Sequence, residues 1–162
     1  MERRTITAIV AEEFPTLFDT PEVDVRALSP VRTFWEKAML LHEETYRPLD
    51  RPQRRRLSRH YYDLARLIEA GIGDKAAGDM DLFKRVAAHR ELYFRQTWVD
   101  YSTLAPGTIR IAPLPERESE WRRDYEAMRG EMLAGSPPAF DDILMMIRRF
   151  EREFNARSGG RA

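Results

Sequence analysis

The chain has 162 residues, with Lys+Arg and Asp+Glu both at 27, zero net charge, 43% hydrophobic and 33% charged residues, and no cysteine. This is the composition of one globular domain large enough to bury a core. It argues against an extended nucleic-acid footprint and excludes disulfides, thiolate catalysis and cysteine-based zinc sites.

No apolar run approaches the roughly 20 residues needed to cross a membrane. The Met-Glu-Arg-Arg-Thr start has none of the apolar stretch of a signal peptide. The expectation is a soluble cytoplasmic chain with no membrane partner. Residues 1–162 read as a single domain, with a basic linker at 47–56 and a disordered tail at 157–162.

In chain order, residues 5–14 fit a short amphipathic helix ended by Pro15. Val23 and Val25 alternate with charged residues, as in a short strand. Thr33 and Glu36 have capping-box spacing and predict a helix start, with Phe34, Ala38 and Leu41 on its apolar stripe and Lys37 off it. Pro48 and Pro52 bound the linker, which is basic and reads as mobile.

A second helix is expected from about Ser58 to Gly71, with Leu57, Tyr61, Leu64 and Ile68 inward. A third is expected from Asp79 to Glu91. Pro106-Gly107 predicts a turn, and Thr108 to Ile111 a short strand closed by Pro113. A fourth helix places Trp121, Tyr125, Met128 and Met132 on one stripe. Ser136-Pro137 would cap a fifth, with Phe140, Ile143, Leu144, Ile147, Phe150 and Phe154 inward. The fold class is therefore mainly α with minor β, an α+β chain of about five helices and two short strands. The strands either pair with each other or join a sheet completed by another segment.

Few residues combine chemistry with position. Lys37 can neutralise a phosphate or be an ordinary solvated lysine. Asp63 can be a general base, a metal ligand or a hydroxyl-orienting group, or else half of an i,i+4 pair with Arg59. His60 can touch a phosphate or a base, or pack at a helix start. Neither His60 nor His42 has a companion at metal-ligand spacing, and His89 reads as packing. Arg51, Arg54, Arg55, Arg56 and Arg59 form the densest positive run, suited to a triphosphate, an RNA backbone or plain solvation. The Asp-x-Asp at Asp79 and Asp81 lies at a helix start, where N-capping is expected. No metal ligands are assigned.

Several of these segments resemble a known family. Thr33-Phe34-Trp35-Glu36-Lys37 with Leu41-His42, followed by Ser58-Arg59-His60-Tyr61-Tyr62-Asp63-Leu64, is similar to the AbiEii/AbiGii nucleotidyl-transferase toxins. His89 to Phe94, Gly107 to Pro113, Asp124-Tyr125 with Met128, and Phe150 to Asn155 extend the likeness over about residues 5–155.

The resemblance implies the C-terminal part of a polymerase-β-like nucleotidyl transferase. It implies transfer from an NTP to a nucleic-acid or protein acceptor such as tRNA, as the toxin of a toxin–antitoxin pair. Carried over by motif, Lys37 and Asp63 would be catalytic, with Lys37 on the NTP phosphates. Arg59, His60 and Arg56 would bind substrate.

Family members open with a Gly-Ser or Gly-Gly-Thr turn and a metal-binding Asp-x-Asp strand, which this sequence lacks. The expectation is a truncated chain, inactive alone, or half of a split enzyme. It would use Mg²⁺ only with a complementary N-terminal chain, and its partners would be an antitoxin, that chain, or a second copy. The alternative is a non-catalytic helical module that binds an antitoxin or another protein.

Overall fold

A computed structural model describes residues 2–133 and 136–157. Of the tail expected at 157–162, residues 158–162 lie outside the described residues, and Arg157 caps the last helix. Among the described residues there are two strands and seven α-helices, an α+β chain dominated by helix.

The two strands are β1 (Glu2–Thr7) and β2 (Glu22–Ala27). They pair antiparallel with Ile6 opposite Val23 and Arg4 opposite Val25. The valine alternation thus marks a true strand. The helix expected over 5–14 is shorter, because residues 5–7 pair with β2; only α1 (Ile9–Glu13) is helical. Its 3₁₀ continuation, Pro15–Leu17, starts at the proline expected to end it. This arm leaves Ile6, Ile9, Val10, Phe14, Leu17 and Val23 more than half exposed.

α2 (Pro30–Thr45) begins one turn earlier than the Thr33 capping box predicts. Ser29 is the N-cap, its hydroxyl accepting from the Arg32 amide at 3.3 Å, and Pro30 fills the first helical position. Thr33 donates its amide to the Ser29 carbonyl, so it is already inside the helix. α3 (Arg59–Glu69) and α5 (Met80–Tyr93) lie where expected, and Asp79 caps α5 by accepting from the Leu82 amide at 2.9 Å. Between them is a further helix, α4 (Ile72–Gly78), in a stretch to which the sequence assigns no element.

α6 (Pro115–Met132) buries Trp121, Tyr125 and Met128, but its expected stripe ends there, with Met132 45% exposed. α7 (Phe140–Ala156) buries all six residues of its stripe. It starts four residues after the expected cap, because α6 holds the preceding carbonyls. The Tyr125 hydroxyl donates to Pro138 O at 2.8 Å and Arg129 donates to Pro137 O at 3.2 Å.

The core is centred on Trp35, which is fully buried and donates its indole N–H to Ala76 O at 3.2 Å. Phe34, Phe83, Phe150 and Phe154 surround it with ring centroids 4.7–6.2 Å away. Apolar burial of this kind is the main favourable term in folding.

The strand expected at 108–112 is not one. Ile109 and Ile111 are buried, but no neighbouring strand supplies their hydrogen bonds. The Ile109 amide turns back onto Ala105 O at 3.1 Å, and side chains supply the rest. His42 Nδ1 accepts from the Arg110 amide at 3.0 Å. Glu151 accepts from the amides of Ile111 and of Ala112, the latter at 2.9 Å. Asn155 accepts from Gly107 N and donates to Ile109 O, both at 2.9 Å, and Tyr61 donates to Ile111 O at 3.0 Å. Buried backbone polar groups must be paired, and here three helices complete the ladder. Because His42 Nδ1 accepts, its other nitrogen carries the proton toward Thr103, 3.1 Å away. Burial holds the His42 pKa down at about 4, so the ring stays neutral.

Candidate functional site

α2 and α3 pack side by side and bring together three of the five expected site residues. Lys37 Nζ donates to Asp63 Oδ2 at 2.6 Å and lies 3.5 Å from His60 Nδ1. Lys37 and Asp63 are about a quarter and a third exposed, so the cluster opens to solvent. Asp63 turns to Lys37 across the helix interface rather than to Arg59 four residues back.

Arg59 stands exposed on the outer side of α3, and its charge still reaches His60. His60 has its pKa lowered to about 4, first by burial and then by the charges of Lys37 and Arg59, against the pull of Asp63. It is therefore neutral at pH 7, and Nδ1 can accept from the ammonium. Below its ordinary 6.5 the unfolded chain binds the proton more readily than the folded one. This contribution to stability is complete above pH 6.5 and is lost as pH falls toward 4. Nuclear magnetic resonance should show His60 titrating near pH 4. Lys37→Met should raise that midpoint without restoring 6.5, since burial is the larger cause.

What the structure shows of Arg56 is its backbone. It has φ +62° and donates its amide to Asp124 Oδ1 at 2.6 Å. The other oxygen, Asp124 Oδ2, accepts from Ser58 N at 3.0 Å and from Ser58 Oγ at 2.6 Å. This carboxylate of α6 thus fixes the start of α3, and with it His60 and Asp63. Its positioning role has no local signal, since it lies more than sixty residues from its partners.

The basic linker is tied down. Arg117 NH2 donates to Pro48 O at 2.5 Å and to Arg51 O at 3.1 Å. Arg54 pairs with Glu44, and the Arg51 guanidinium stacks 4.7 Å from the Trp98 ring centroid.

Arg90 of α5 is a further residue whose role the sequence pattern does not reveal. It is buried and grips Glu43 of α2 with Nε and NH2, both at 2.7 Å. It also meets Glu36, the residue before Lys37, at its carbonyl (3.4 Å) and its carboxylate (3.5 Å). The charge of Arg90 is felt at His60.

A divalent cation does not fit this cluster. Asp63 is turned onto an ammonium, and Glu36, Glu43 and Glu44 are each paired with a guanidinium. Among the described residues no three His, Cys, Asp or Glu side chains gather as a metal site. Asp79 of the Asp-x-Asp is committed to capping α5. A cleft of about 840 Å³, bordered by Asp79, Asp81, Lys84 and Arg157, lies apart from the Lys37 cluster. No described helix is long and apolar enough to cross a membrane.

No curated protein and no solved structure matches the chain significantly. A family model does, the one described as nucleotidyl transferase AbiEii toxin of a type IV toxin–antitoxin system, over residues 1–146. That match takes in both helices of the Lys37–His60–Asp63 cluster, and the chain belongs to the AbiEii nucleotidyl transferase toxin family.

Proposed function

We propose that Lys37, His60 and Asp63 are the NTP-phosphate side of a nucleotidyl-transfer site. The observation that carries this reading is their convergence. Separated by 23 and 26 residues in sequence, they meet with Lys37 Nζ 2.6 Å from Asp63 and 3.5 Å from His60. A partly exposed ammonium held between a carboxylate and a neutral imidazole is preorganised for an incoming phosphate oxygen. The triphosphate displaces Asp63 from Lys37, and the freed carboxylate orients the acceptor hydroxyl. Arg59 and Arg56, flanking the start of α3, add positive charge to the approach.

Magnesium belongs to nucleotidyl-transfer chemistry of this family, where it neutralises the phosphates and polarises the transferred group. Its carboxylates are not supplied by the described residues. In this reading they come from another segment or a complementary chain, the whole forming a polymerase-β-like transferase, and this chain alone is inactive. The acceptor is a tRNA or a protein, the site of action is the cytoplasm, and the toxin's counterpart is an antitoxin.

The test has two parts. Calorimetry should show weak NTP binding that Lys37→Ala reduces about ten-fold or more, the value of one charge-assisted contact. Unchanged binding removes the site. Labelled NTP incubated with Mg²⁺, total tRNA and this chain alone should give no incorporation. Incorporation lost in Asp63→Ala would show a complete site and refute the half-site reading.

A second reading, a non-catalytic interaction module, draws on the arm at residues 2–28, where Ile9 and Leu17 are 79% and 74% exposed. Wild-type NTP binding with no response to Lys37→Ala, together with concentration-dependent self-association abolished by Ile9→Glu, would favour it.

A further inference from the structure

The end of α5 presents an unusual surface. Leu92, Tyr93 and Phe94 are 72%, 68% and 49% exposed, three large apolar side chains in a row. Phe94 differs from its neighbours in being held. Its amide donates to Arg90 O at 2.8 Å, closing the helix. Its carbonyl accepts from the Gln96 side chain at 3.0 Å and the Tyr101 hydroxyl at 3.4 Å. Its ring sits over the Arg90 guanidinium, 5.1 Å from centroid to carbon, and the His89 ring meets it at a steep angle. One side of the ring is thus backed by a cation, and half of the residue still faces solvent.

Arg90 connects this ring to the phosphate side. It is clamped by Glu43 at 2.7 Å and by the Glu36 carbonyl at 3.4 Å. Glu36 adjoins Lys37 in α2. Two contacts, ring to guanidinium and guanidinium to the Glu36 carbonyl, therefore join Phe94 to the backbone beside Lys37. Glu43 and Glu36 satisfy the Arg90 charge, so this end of the surface is not an anion site. What it offers is a rigid aromatic face, and a flat heteroaromatic ring complements it by stacking. Tyr93 packs on His89 at 4.7 Å.

We propose that Phe94 is the stacking platform for the nucleobase of an NTP whose phosphates lie at Lys37. The proposal rests on the phosphate-site reading above and adds the base end of the same ligand. Arg90 then holds the platform from beneath, itself held by Glu43 and Glu36.

The experiment is calorimetry of the full chain with ATP, GTP, CTP, UTP and inorganic tripolyphosphate. Tripolyphosphate isolates the phosphate contacts. Phe94→Ala should weaken the tightest-bound NTP about ten-fold, the usual value of one base–aromatic stack, and leave tripolyphosphate binding unchanged. Phe94→Leu, which keeps an apolar cover on Arg90 but has no π-face, should lose as much. Phe94→Trp should retain affinity. The proposal is overturned if NTP binds no tighter than tripolyphosphate, or if Phe94→Ala leaves NTP affinity unchanged. Loss in the alanine but not the leucine variant would mark the ring as a lid on Arg90 and overturn it equally. Tripolyphosphate binding that ignores Lys37→Ala would instead defeat the phosphate-site reading, so the two failures are distinct. No binding of any NTP by the wild type defeats both.

Discussion

Replacing Arg90 by methionine should destabilise the fold by about 3–5 kcal/mol at neutral pH, the usual effect of removing one partner of a buried ion pair. The side chains of Arg90 and Glu43 are only 8% and 5% exposed, and their two 2.7 Å hydrogen bonds form a planar fork. Burial disfavours the Arg90 charge, but the Glu43 hydrogen bonds and charge outweigh it and raise the guanidinium pKa. Burial raises the Glu43 pKa, and the Arg90 hydrogen bonds and charge pull it partly back. In Arg90→Met that opposing pull is gone, and the carboxyl pKa climbs further.

The sign follows from linkage. A carboxyl whose folded pKa lies above its unfolded value binds more protons in the folded state over the interval between them. Stability therefore falls as pH rises through that interval. Because wild-type Glu43 is itself raised above the ordinary 4.5, both proteins lose stability together at first, and the Arg90→Met deficit should grow only above the wild-type Glu43 pKa. Urea denaturation of both proteins at several pH values measures this. A deficit independent of pH would mean that lost packing, rather than the stranded carboxylate, sets the cost.

The second large effect is expected at Glu151. Glu151→Ala should cost about 2–6 kcal/mol, since it leaves two amides without an acceptor, each worth about 1–3 kcal/mol when buried. Those amides belong to Ile111, which is fully buried, and to Ala112. Glu151→Gln keeps an acceptor oxygen and should lose less than half as much. Thermal unfolding of the two variants compares them directly. Equal losses would show that the negative charge, and not the acceptor geometry, holds the segment.

The elements legible in the sequence are those whose signal is periodic and local. The α7 stripe from Phe140 to Phe154 is buried throughout, and the valines of β2 and the Asp79 cap stand where expected. The misreadings have physical causes. Ser29-Pro30 and Thr33 both offer a cap for α2, and the proline at the first helical position decides for the earlier. α4 looks like a break because Gly71, Gly73 and Gly78 punctuate it. Gly71 sits at φ +70°, which favours glycine. A Cβ at Gly73 would meet Ile68 at 3.2 Å and Phe150 at 3.3 Å, so the glycine lets the core close on the helix.

Ile109 and Ile111 carry a strand's alternation, yet nothing local reveals that side chains rather than a strand will face them. For the site, Lys37, His60 and Asp63 were each ambiguous on spacing, and their convergence is a tertiary fact. Arg90 and Asp124 lie within family-like segments, but their roles depend on partners more than forty residues away.

The threaded segment from Gly107 to Ala112 also bears on how the chain folds. Its long-range hydrogen bonds come from positions 42, 61, 151 and 155, between 39 and 68 residues distant. Such contacts form only after the intervening loops have closed, and loop closure is the slow, entropically opposed part of folding. The helices can assemble early from neighbouring turns. This stretch can become ordered only once α2 and α7 flank it, so its ordering belongs to the last step of chain collapse and ties both ends of the helical body into one cooperative unit.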